Sequence, residues 1–69
     1  MNKFNIEISS VPDRNKLVAE IWYEKNLIAE INQEHDNLEI ELYSTQKVTF
    51  DYHEFLKILE TAKNKLMGY

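Results

Sequence analysis

Cysteine is absent from the 69 residues, glycine and proline occur once each, and no apolar run is long enough to cross a bilayer. Without cysteine there is no disulfide framework, iron–sulfur site, thiolate zinc site or cysteine nucleophile. The single glycine, Gly68, excludes a glycine-rich phosphate loop. A spanning helix needs roughly 18 consecutive apolar residues, and Met1–Glu7 alternates in polarity where a secretory leader would hold an apolar block, so no membrane partner and a cytoplasmic location are expected. Bases are also scarce: eight Lys and Arg stand against twelve Asp and Glu, for a net charge of −4. That balance works against phosphate, where basic side chains must displace counterions, so direct nucleic-acid binding is not expected.

What is present is a folded domain. A hydrophobic content of 43% beside 29% charged residues is the balance of a globular chain, and the length allows one domain, 1–69, and no second core. Phe4, Ile6 and Ile8 alternate with polar residues, which predicts a strand at about 3–9. Ser9 to Lys16 collects Pro, Ser, Asp and Asn into the longest loop. Alternation resumes in Leu17, Ala19, Ile21 and Tyr23, in Leu27, Ala29 and Ile31, and in Leu38, Ile40 and Leu42, predicting strands at about 17–24, 27–33 and 38–43. Val48 and Phe50 predict a short fifth strand at 47–50. At Asp51 the period changes to helical: Asp51 and Glu54 form a capping-box pattern, Tyr52, Phe55, Leu56, Leu59, Ala62 and Leu66 form a stripe, and Gly68 is a stop, giving a helix over 52–67. The expected fold is α+β and two-layered, a five-stranded antiparallel meander with one C-terminal helix packed on the face of Ile6, Ile21, Ile31, Ile40 and Phe50.

Charge is unevenly spread along this frame. Residues 17–46 hold seven acids and one base, Lys25. A three-residue loop, Glu24 to Asn26, with Asn26 in the left-handed position, sets Tyr23 opposite Leu27, Glu20 opposite Glu30 and Trp22 opposite Ile28. A turn at His35 and Asp36 sets Glu30 opposite Glu41 and Ile28 opposite Tyr43, and a loop Ser44 to Gln46 sets Tyr43 opposite Lys47. The face away from the helix then shows an acidic row, Glu20, Glu30 and Glu41, beside an apolar row, Trp22, Ile28 and Tyr43. Glu7, Glu24, Glu34 and Glu39 join it by parity. Opposed like charges destabilise a sheet, so relief of repulsion predicts that Glu30→Thr holds or raises stability.

A solvated, solubilising surface accounts for such a face plainly. The sharper reading is a docking surface, with aromatic anchors and acids that steer a basic partner, carried by Glu20, Trp22, Ile28, Glu30, Glu39, Glu41 and Tyr43. A metal site has little support, because neighbours in the run Glu34, His35, Asp36 point apart, and acid–base catalysis has little because no cleft is evident to raise a carboxyl pKa. No metal, cofactor or catalytic residue is expected, and Tyr52 and Phe55 read as core. Base stacking on Trp22 and Tyr43 is opposed by the surrounding glutamates.

The runs Val11–Tyr23, Leu27–Ile31 and Phe50–Leu56 resemble small immunity proteins of bacterial polymorphic-toxin and contact-dependent growth-inhibition systems. The resemblance implies a cytoplasmic, non-enzymatic inhibitor that blocks the active site or groove of a cognate toxin domain, often a nuclease; a monomer or weak homodimer is expected. Two alternatives fit the same face: a phage-encoded acidic nucleic-acid mimic that inhibits a host nuclease or CRISPR effector, and an assembly subunit that pairs through its sheet.

Overall fold

The computed structural model describes residues 3–12, 14–35, 37–43 and 46–68. Strands β1 (Phe4–Ser9), β2 (Val18–Tyr23), β3 (Asn26–Asn32) and β4 (Glu39–Leu42) form one antiparallel sheet in the order β1-β2-β3-β4, followed by the helix α1 (Tyr52–Met67). The α+β class, the meander order and the helix limits follow the predicted pattern, but the sheet has four strands and not five.

Residues 47–50 form no strand, and the reason lies in three rings. Phe50 sits 5.1 Å from Phe4 on β1, 4.9 Å from Tyr23 on β2 and 5.3 Å from Phe55 on α1, measured between ring centroids. The chain leaving β4 therefore crosses back over the sheet toward β1 and β2. Pairing along β4 would carry Phe50 away from these rings, whose contacts are worth about 0.5–1.5 kcal/mol per pair beyond the area they bury. Lys47 consequently has no strand in which to oppose Tyr43, and Ser44 and Thr45 of the proposed loop lie outside the described residues.

The β2–β3 hairpin differs from expectation by one residue at its tip and not at its base. Its turn is shorter than predicted: Tyr23 pairs with Asn26, and the positive φ of 56° falls on Glu24 instead of Asn26. Positive φ at the first central residue only is the place where the II′ class of hairpin turn prefers glycine. A bulge between the pairs Ile21↔Ala29 and Trp22↔Leu27 then takes up the extra residue, Ile28, and restores Glu20↔Glu30. The bulge re-aims Ile28 into the buried cluster on the helix side, with Ala19, Ile21, Ala29 and Ile31. Trp22 faces Leu27, and Ile28 is not part of the acidic face. The proposed turn at His35 and Asp36 includes a residue outside the described set, but the register it implied, Glu30↔Glu41, is present.

At the start of α1, the Asp51 carboxylate accepts the Glu54 amide at 3.0 Å. At its end, Gly68 adopts φ 84° and its N–H reaches the carbonyls of Asn64 and Lys65. Ile58, Ala62 and Leu66 are buried, with Phe55 and Leu59 packed beside them, while Tyr52 and Leu56, both predicted inward, are exposed. The stripe is rotated so that Ile58 takes the inward place. The helix packs on β2 and β1, so the helix-side residues of β4 are left in the open: Ile40 is 52% and Leu42 70% exposed.

Candidate protein-binding face

On the face away from α1, the acidic row runs across the whole sheet. Glu7 pairs with Glu20, Glu20 with Glu30 and Glu30 with Glu41, one glutamate from each strand. Parity gave the face of Glu7 in the sequence; its place in the row was not legible, because the long β1–β2 loop leaves the register of β1 free.

Four carboxylates in line need donors, and the β1–β2 loop brings the main one. Arg14 lies over the sheet, its Nε donating to Glu30 at 3.0 Å and its Nη2 to Glu41 at 2.9 Å. Its side chain is mostly buried, and Glu30 is only 5% exposed. Asn32 Nδ2 also donates to Glu30, and the Tyr43 hydroxyl lies 3.1 Å from Glu30 and 2.7 Å from Glu41. Glu20 receives the Ser9 hydroxyl at 3.2 Å and the Trp22 indole N–H at 3.3 Å. Planar guanidinium bridging of two carboxylates turns opposed like charges into a bonded unit.

The loop is pinned at a second place. The Asn15 and Lys16 amides donate to the Glu34 carboxylate at 2.9–3.1 Å. These contacts lower the Glu34 pKa: the Asn15 amide acts most, burial works against it, and the Lys16 amide and the charges of Arg14 and Lys16 add to it. Beneath this loop, a strap across the face, Val18 and Asn32 are buried, while Leu17, predicted to point into the core, is exposed. The face thus has a small core of its own at one end; at the other, Trp22 and Leu27 are half-buried and Tyr43 is exposed. Tyr43 has its pKa pushed up, chiefly by its hydrogen bond to Glu41, with burial and Glu30 adding to the effect.

Of the residues singled out in the sequence, Glu20, Trp22, Glu30, Glu41 and Tyr43 come together through these bonds. Glu39 is half exposed and paired with His35 Nδ1 at 3.0 Å. Glu30 is interior and already bonded, so the expected gain from Glu30→Thr reverses: threonine would leave Arg14 and Asn32 short of an acceptor. Arg14 and Leu27 are the site residues that sequence reasoning missed. A lone arginine in a loop before an acidic strand was the available signal for the first; for Leu27 there was none, since it depends on the bulge.

Among the described residues, no group of His, Asp and Glu side chains is arranged to hold a metal ion, and no helix is long and apolar enough to cross a membrane. Comparison with protein-family models, curated proteins and solved structures found no match in any of the three.

Proposed function

We propose that this chain is an immunity-type inhibitor, a non-enzymatic cytoplasmic protein that occludes the basic groove of a cognate bacterial toxin domain with the Trp22 and Tyr43 end of its acidic face. One observation carries this reading: the half-buried Trp22 and Leu27 and the exposed Tyr43 lie beside a four-glutamate row that Arg14 bridges, with Trp22 and Tyr43 hydrogen-bonded to it. Glu7 and Glu41, the exposed members of the row, are held in place by the sheet and present their charge with little ordering cost on binding, and rigid aromatic side chains are favoured anchors at the centre of interfaces. A nuclease groove built for phosphates offers the complementary charge.

The test is binding and protection with the toxin domain encoded beside this gene. Trp22→Ala is expected to speed dissociation, because a central anchor resists separation. Glu7→Lys, at the exposed end of the row, is expected to slow association and flatten its salt dependence, because steering is what screened charge controls. If both variants bind and protect cells as the wild type does, the reading fails.

A further inference from the structure

We propose that the free edge of β4 receives an extended segment of a partner protein in which apolar residues alternate with lysine or arginine. This edge adjoins the acidic face and shares Glu39 and Glu41 with it, but the proposal does not depend on the partner being a toxin.

Three observations on β4 carry the proposal. The first is the edge, to which no described strand pairs. β4 closes the sheet, and the Tyr43 amide donates inward to the Ile28 carbonyl at 3.0 Å. With Glu30↔Glu41 and Ala29↔Leu42 in register, antiparallel alternation turns the N–H and C=O of Glu41 toward β3 and those of Ile40 and Leu42 away from it. The second is the apolar row. Leu38, Ile40 and Leu42 are all exposed because α1 covers β1 and β2, and Val48 on the crossing segment is exposed as well. Proteins ordinarily blunt an edge with a bulge, a proline, a covering element or charge on both faces, and β4 carries charge on one face alone.

The third observation is charge, and it selects the occupant. Glu39 and Glu41 alternate with the apolar row, and each side chain is half exposed. An added strand sets its side chains directly opposite those of β4, where opposite charges help by about 0.2–1 kcal/mol and like charges harm by a similar amount. A second copy pairing its own β4 would oppose glutamates to glutamates. A segment with apolar residues on one face and Lys or Arg on the other satisfies both rows, while main-chain bonds to Ile40 and Leu42 supply affinity. Arg14 already shows the chemistry from within the chain, with its guanidinium on Glu41.

The experiment uses isotope-labelled protein and two blocked peptides of about seven residues, a common strand length, one alternating valine with lysine and the other valine with glutamate. The lysine peptide is expected to slow hydrogen exchange at the Ile40 and Leu42 amides and to leave the Trp22 indole resonance in place; the glutamate peptide is expected to do neither. Ile40→Pro removes an N–H that faces solvent, a substitution edge strands tolerate, and should weaken binding by about two- to tenfold, the effect of one lost main-chain bond. Should Ile40→Pro disturb the circular dichroism spectrum, Leu42→Lys, which alters an exposed side chain and no ladder bond, must weaken binding instead. Equal binding of both peptides, unchanged exchange at the two amides, or their protection by self-association without peptide overturns the proposal.

Discussion

Arg14 and Glu30 set the energetic character of the open face. Glu30 is nearly inaccessible and sits between two other glutamates, a position that an unbonded carboxylate would occupy only at a cost of several kcal/mol. The Arg14 fork removes that cost and takes up a bond to Glu41 as well. Arg14→Ala and Glu30→Thr should therefore each lower unfolding stability by about 1–3 kcal/mol, the penalty for leaving a charged partner unsatisfied, and in a urea double-mutant cycle their losses should be far from additive. Additive losses would show that the bridge is incidental. Glu34 gives the strap its pH response. Its pKa lies below the ordinary value of 4.5 in the folded chain, so its contribution is present in full above that value and is lost as pH falls through the folded pKa. Protection of the Asn15 and Lys16 amides, taken relative to their intrinsic exchange rates at each pH, should fall over that acid window, and Glu34→Gln should show the reduced protection already at neutral pH.

At the level of elements, the helix supports a sharp comparison. Ile58 is 7% exposed and Leu56 45%, although the sequence stripe favoured Leu56. Ile58→Ala should cost about 2–5 kcal/mol by opening a cavity against the sheet, while Leu56→Ala should stay within about 0.5 kcal/mol, as exposed substitutions do; thermal or urea unfolding of the two variants decides it. The same pair shows what sequence could and could not reveal. Strand alternation, the Asp51 cap and the Gly68 stop are local signals, and they located β1 to β4 and both ends of α1 within a residue or so. The rotation of α1, the bulge at Ile28 and the crossing of residues 47–50 are decided by contacts between distant segments: Phe50 with Phe4, and Ile28 with the buried cluster. Hydrophobic period alone cannot distinguish Val48 and Phe50 as a strand from Phe50 as a single ring reaching back to β1. The acidic row was legible because Glu20, Glu30 and Glu41 are tied by short connections. The strap was not, because a long loop carries no register.

As a whole, the molecule is a sheet with unlike covers on its two sides. One side is apolar and closed over β1 and β2 by α1; the other is polar and closed at one end by the Arg14 loop. The helix-side cover is incomplete, and that shortfall leaves β4 with its apolar row. The aromatic residues are sorted between the two sides. Phe4, Phe50 and Phe55 are the three phenylalanines of the chain and belong to one ring cluster on the helix side, whereas the single tryptophan, Trp22, donates to Glu20 on the other. Fluorine-labelled phenylalanine would therefore report only on the helix layer, and tryptophan emission only on the strap layer, so that one sample carries an independent optical and magnetic readout for each side of the same sheet.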